Sequence, residues 1–198
     1  MRKIILSILI WASFSGVSWA QENAYVGIGF GTFDYKEGTA DSTFGQVSDS
    51  VGSVHLFGGF EFNDYLALEI SYGETSDIIN RSTVNIPPFG DVTATTKTDF
   101  VITNLTAVGQ LPLDWGVLLG GLGYFSAENN LRETLTAACC EPLFGGGDFN
   151  ENGMSAKLGI EWRFGRFGTR IGLRLEYDWW DVGYADTSQV GFAVSYGF

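Results

Sequence analysis

The sequence predicts an all-β fold, an eight-stranded antiparallel up-and-down transmembrane β-barrel. Three observations predict it. Long stretches alternate apolar residues with small or charged ones at a period of two, as strands do. After the first twenty residues no apolar run reaches the roughly 18 residues that a membrane-spanning helix needs. The segments between the alternating stretches are long and short by turns, which gathers the long ones at one end of a barrel.

The first twenty residues stand apart. Arg2 and Lys3 precede an apolar run from Ile4 to about Val17, and Ser18-Trp19-Ala20 supplies small residues before a cleavage point. That pattern is a secretory signal peptide over residues 1–20, leaving a barrel domain over 21–198. No cysteine follows the cut, so no lipid anchor is expected. Removal of Arg2 and Lys3 leaves nine basic against 23 acidic residues, a net charge of −14. A chain so acidic is not expected to bind nucleic acid.

Eight strands are predicted in order: Ala24–Tyr35, Ser53–Asn63, Tyr65–Ser76, Thr98–Leu111, Trp115–Ala127, Gly153–Gly165, Phe167–Val182 and Gln189–Phe198. Trp115–Phe125 is the greasiest piece, yet at about 11 residues with four glycines it suits a tilted membrane strand and not a helix. The links at Asn63-Asp64, Pro112-Leu113-Asp114 and Gly165-Arg166 are tight, whereas Lys36–Gly52, Asp77–Lys97 and Glu128–Asn152 have the polar composition of surface loops. Gly183–Ser188 makes a shorter fourth loop. The last strand would leave a bare edge unless it closed onto Ala24–Tyr35. An even strand count places both chain ends on the periplasmic side.

The sixth and seventh strands set which face looks outward. Met154, Ala156, Leu158, Ile160, Trp162 and Phe164 oppose Ser155, Lys157, Gly159, Glu161 and Arg163; Ile171, Leu173, Leu175, Tyr177 and Trp179 oppose Arg170, Gly172, Arg174, Glu176 and Asp178. In a soluble barrel the charged face would meet water. In a membrane, turning Lys157, Arg170 and Arg174 to lipid would cost about 2–4 kcal/mol each near the midplane, so the charges go inside. Two aromatic belts favour the membrane: Trp115, Tyr65, Phe164, Phe167, Tyr196 and Phe198 at the turn end, and Tyr35, Tyr72, Trp179, Trp180 and Tyr184 toward the loop end.

These residues carry a resemblance. Phe60-Glu61-Phe62-Asn63-Asp64-Tyr65-Leu66-Ala67-Leu68-Glu69 resembles the second hairpin of the OmpA-like, porin-family small outer-membrane barrels of Gram-negative cell envelopes. Arg174-Leu175-Glu176-Tyr177-Asp178-Trp179-Trp180 resembles their penultimate strand, and Phe198 resembles the closing aromatic that the barrel-assembly machinery reads. The resemblance implies a cell outer membrane location, contact with outer-membrane lipids, assembly through the C-terminal strand, and a polar, largely blocked interior. The chain ends at Phe198, so no periplasmic wall-binding domain is expected with it.

Glu61, Glu69, Lys157, Glu161, Arg163, Arg170, Arg174 and Glu176 fall on inward faces in this register. Charges inside a narrow barrel must pair or lie in water, so they form either a stabilising interior network or the lining of an ion path. The lone histidine, His55, is inward too, away from any lipid ester, so no acyl-transfer enzyme and no cofactor are expected. Cys139 and Cys140 are adjacent in the longest loop; their Cα atoms lie about 3.8 Å apart, below the usual disulfide range of about 4.4–6.8 Å, so a strained vicinal disulfide is expected, with a free or intermolecular thiol as the alternative. No metal spacing accompanies them. Gly27, Gly29 and Gly31 are expected to face inward and make room for long charged partners, and Gly145-Gly146-Gly147 fits no phosphate loop. Acidic loop residues such as Asp41, Asp49, Asp91, Glu133, Glu141, Asp148 and Glu151 read as solvated charge, with divalent cations or basic partners as the sharper alternative. The expected function is that of a non-enzymatic, monomeric outer-membrane barrel with a structural or surface-interaction role, its long loops free to meet an extracellular ligand. The alternative is a narrow channel for ions or small apolar solutes.

Overall fold

A computed structural model describes residues 23–37, 48–87, 90–137, 139–165, 170–183 and 185–198. The expected signal peptide, Asp41, Arg166, Phe167 and Tyr184 lie outside them. Among the described residues nine strands run through one sheet: β1 (Ala24–Glu37), β2 (Ser48–Asn63), β3 (Leu66–Thr75), β4 (Ile78–Ile86), β5 (Gly90–Leu113), β6 (Gly116–Ala137), β7 (Leu143–Phe164), β8 (Arg170–Val182) and β9 (Ala185–Gly197).

Eight of them close a ring. The last strand pairs with the first from Tyr25↔Gly197 to Glu37↔Ala185, as the alternation of both strands requires. β3 bypasses β4 and pairs with β5 from Leu66↔Gly109 to Glu74↔Val101, which completes an all-antiparallel barrel. Closure removes the edges that an open sheet would expose. Phe198 N donates to Ala24 O at 3.0 Å, so the seam is fastened to the end of the chain.

The outward face carries Val26, Ile28 and Phe30 on β1, Leu66, Leu68 and Ile70 on β3, and Val190, Phe192 and Val194 on β9. Below the level where β8 and β9 stop, the described ionised side chains on the outward strand faces are Asp34, Lys36, Glu74, Asp99, Glu128, Asp181 and Asp186, all at the far end from the tight turns. From Ala24 to Thr32 is about nine residues, which at about 3.3 Å each and a tilt of about 45° covers most of an apolar band about 25 Å tall. The six carboxylates therefore ring the outer boundary of the membrane.

Above that ring the structure departs from expectation. Asp77–Lys97 and Glu128–Asn152 are not loops. The first holds β4, which pairs with β5 from Ile78↔Thr98 to Ile86↔Gly90, and the second continues β6 and β7, paired out to Leu135↔Leu143. Residues rich in Thr, Asn and Gly stay extended here because each strand borrows the register of the barrel strand beneath it. The four strands form a blade rising roughly 25–30 Å beyond the rim, at about 3.3 Å per residue over about nine residues. β8 and β9 stop low, at Val182↔Ala185.

Two belt residues are also corrected. Tyr35 and Trp180 are buried inside the barrel, since Tyr35 shares the parity of Phe33 and Trp180 points opposite to its neighbour Trp179. Trp115, Tyr65, Phe164, Tyr196 and Trp179 do face outward.

Candidate functional site

The strand alternation delivers all eight of the charged side chains read as inward into one connected network. Nearest the turn end, Glu61 meets Arg170 Nη2 at 2.6 Å and Arg163 Nη2 at 3.1 Å. Arg163 Nε reaches Glu161 at 2.6 Å, and its Nη2 donates to Gln110 Oε1 at 2.8 Å. Half a turn higher, Arg174 holds Glu69 through Nη1 at 2.6 Å and Glu161 through Nε at 3.0 Å. Ser195 Oγ donates to the same Glu161 oxygen at 2.9 Å, and Tyr25 OH donates to Glu69 at 3.0 Å. Lys157 Nζ then lies 2.7 Å from Glu69, 3.3 Å from Glu176 and 3.5 Å from Asp178.

Arg174 is the hub. It is 1% exposed, and its guanidinium carbon sits 4.6 Å from the Phe57 ring centroid and 4.8 Å from that of Tyr25. A planar cation can fork to two carboxylates while its faces rest on aromatic rings, which an ammonium cannot do. Buried this deeply, every charge depends on its partners, because the loss of one leaves the others desolvated and unpaired.

His55 is buried in the same wall. Its Nδ1 is 3.1 Å from Gln189 Nε2 and its Nε2 is 2.6 Å from Glu176 Oε1, close in distance but off the line of an ideal N–H···O bond. The glycines of β1 do not make room for long charged chains: a Cβ on Gly27 would enter the Phe57 ring, one on Gly29 the His55 ring, and one on Gly31 would meet the Val190 carbonyl of β9. Asp178, Tyr25, Gln110 and Ser195 join the network without having been singled out as site residues. The signal was available, since Asp178 stands two residues beyond Glu176 and four beyond Arg174 on the same face.

Toward the outer end the interior turns apolar. Phe33, Tyr35, Phe100, Phe125 and Trp180 fill the lumen with Ile78, Ile102 and Val182 around them. Phe33 lies 5.5 Å from Phe100 and 5.9 Å from Trp180, centroid to centroid. Between the charged and aromatic layers is a cavity of about 20 Å³ bordered by His55, Lys157, Asp178, Trp180 and Gln189. That is room for about one water molecule.

Cys139 and Cys140 are joined as a vicinal disulfide at the exposed tip between β6 and β7. Among the described residues no group of His, Cys, Asp and Glu is arranged to hold a metal ion.

The family model for the outer membrane protein beta-barrel domain matches residues 6–198. Comparison with curated proteins found no match. Among solved structures the chain is similar to Ail, the attachment invasion locus protein of Yersinia pestis, at 13% identity over 90% of this chain and 99% of that one, with a TM-score of 0.49. It is also similar to Neisserial surface protein A, at 13% identity over 88% and 97% with a TM-score of 0.49. A third is the N-terminal β-barrel domain of Pseudomonas aeruginosa OprF, at 15% identity over 89% and 98% with a TM-score of 0.43.

Proposed function

The chain belongs to the outer membrane protein β-barrel family, and from that premise we propose that it is a non-enzymatic surface module whose barrel is an anchor and whose working part lies outside the membrane. The observation that carries this reading is the filled lumen. A charged layer centred on Arg174 and an aromatic layer centred on Phe100 succeed one another along the axis, with a cavity of about 20 Å³ between them. An eight-stranded barrel is just wide enough for its own side chains to fill it, and a network of buried ion pairs has no reason to part for a passing ion.

The same geometry supports a non-enzymatic role. The one imidazole is held inside the wall by Gln189 and Glu176, out of reach of a lipid or extracellular substrate. A general base must stand within hydrogen-bond reach of the proton that it takes. Residues 1–20 serve in this reading as a cleaved signal peptide, which N-terminal sequencing of the membrane-inserted protein would show as a start at Gln21. Phe198, stacked 6.1 Å from Tyr196 beside the barrel seam, serves as the mark read by the assembly machinery. Its deletion is expected to lower the yield of folded barrel in the outer membrane, and an undiminished yield would remove it from that role.

The decisive test is electrical. Mature protein refolded from detergent, with folding confirmed by gel shift, is inserted into a planar bilayer. Silence from inserted protein is the expected result. Steady, reproducible conductance steps would overturn it in favour of a narrow channel.

A further inference from the structure

The blade has two unlike faces. Barrel parity continues into it without a shift of register, so even residues of β4 and β5 and odd residues of β6 and β7 look inward over the mouth of the barrel. On the outer face the polar residues satisfy one another across strands: Thr83 Oγ1 meets Thr93 Oγ1 at 3.0 Å, Asn85 Nδ2 donates to Asp91 at 2.7 Å, and Asn130 Nδ2 donates to Asp99 at 3.0 Å. Arg81, Lys97 and Arg132 all stand on that outer side, with Ile79 and Phe144 as isolated apolar residues among them.

The inner face is the reverse. Val84, Ile86, Leu135, Leu143 and Phe149 are exposed on it, Leu143 at 69% and Phe149 at 52%. Val92, Ala94 and Leu131 fill in between them, half-buried. Asn80, Thr96 and Glu133 form a polar row across this face, so the contiguous apolar part is Val84, Ile86, Val92, Ala94, Leu135 and Leu143, roughly 200 Å² at a strand spacing of about 4.8 Å. The described charges of the face are both acidic, Glu133 beside Gly145 and Glu151 lower down. The floor beneath is the aromatic layer of the lumen.

From this largely apolar face, which among its described residues carries two carboxylates and no cation, we infer that the inner face of the blade is a docking surface for a basic polypeptide segment that also carries apolar side chains. The apolar residues supply the contact area that an open sheet face lacks. Glu133 and Glu151 select the sign of the partner and draw it in, while like-charged or purely polar partners gain nothing. The inference deepens the reading of the barrel as a surface module, and the two fail separately. Channel steps would show an open lumen, whereas loss of face selectivity would leave the lumen closed and the docking face without support.

The test uses the full mature chain in nanodiscs of zwitterionic lipid and a labelled twelve-residue peptide of alternating Lys and Leu, read by fluorescence anisotropy against empty nanodiscs. A Glu/Leu peptide of the same length is the charge control. Two double variants change the net charge equally: Glu133→Lys with Glu151→Lys on the inner face, and Asp91→Lys with Asp148→Lys on the outer. A third, Leu135→Asn with Phe149→Asn, removes apolar area without charge. All are checked for folding by gel shift. Saturable binding of the Lys/Leu peptide is expected, weakened at least tenfold by the inner-face charge variant and by the Asn variant, and less than threefold by the outer-face one. Equal losses from both charge variants would reduce the effect to undirected attraction and overturn the proposal. So would equal binding of the Glu/Leu peptide, or binding no stronger than to empty nanodiscs. Binding that emerges only after deletion of residues 39–46 would overturn it too, by making the chain's own outer segment the occupant of the face.

Discussion

The barrel interior and the inner face of the blade are the same surface of the same strands, yet one is closed by ion pairs and the other is left apolar and open. β5, β6 and β7 run through both. In the barrel the ring brings an opposite wall within reach, so that Lys157 on β7 finds Glu69 on β3 and Arg174 on β8 finds the same residue. In the blade the sheet does not close. β4 pairs with β5 alone, β8 has ended, and a charge on the inner face would have no facing strand to answer it. A charge-dense interior is tolerated where closure supplies partners, and the open continuation is mostly uncharged, carrying Leu, Ile, Val, Phe, Thr and Asn with only Glu133 and Glu151 as its described charges.

The largest test of that contrast is Arg174→Ala. It leaves Glu69 and Glu161 buried with a cation removed, and deletes the stacking on Phe57 and Tyr25. Breaking a buried pair on one side costs about 3–5 kcal/mol. Urea unfolding of the folded variant in detergent should show a loss of that order, and an unchanged midpoint would mean that the interior pairs do not hold the barrel together. Gly29→Ala is expected to follow, because its Cβ would enter the His55 ring and the wall has no slack there. Overpacking of this kind costs about 1–3 kcal/mol, and the same unfolding curve reads it. Glu61→Gln should cost least of the three, about 1 kcal/mol, since Arg163 and Arg170 keep partial contact with water at the turn end. A loss as large as that of Arg174→Ala would place the weight of the network at the rim.

What was legible in the sequence follows the same divide. The membrane strands betray themselves because lipid imposes a greasy face on one parity and the lumen collects charge on the other; Arg170, Gly172, Arg174, Glu176 and Asp178 need nothing more to be placed inside. The ring partners were not legible. No spacing says that Lys157 meets Glu69 across 88 residues, since that depends on which strands closure brings face to face. The blade was missed because Asn80, Arg81, Ser82, Asn85, Asp91 and the Thr-rich run over residues 93–98 break up its Ile and Val, giving a polar stretch of the kind that loops share, and it is the register inherited from the barrel that keeps it extended. Tyr35 and Trp180 were placed in the belt by their nearness to the rim, where parity should have decided.

The smallest predicted effects lie in the blade, and they sharpen the contrast by their smallness. If the open sheet contributes contact surface and not stability, cutting its covalent tie should leave the barrel where it was. Cys139 and Cys140 close a ring of only two residues, so their bond restricts the unfolded chain very little. Replacing both by Ser is expected to move barrel stability by less than about 1 kcal/mol, no more than the mildest of the interior substitutions. Parallel urea curves for this variant and the unaltered protein check it. A shift as large as that from Gly29→Ala would mean that the blade and barrel unfold as one unit. The inner face would then need its disulfide to keep its shape, and the division between a closed anchor and an open working surface would have to be given up.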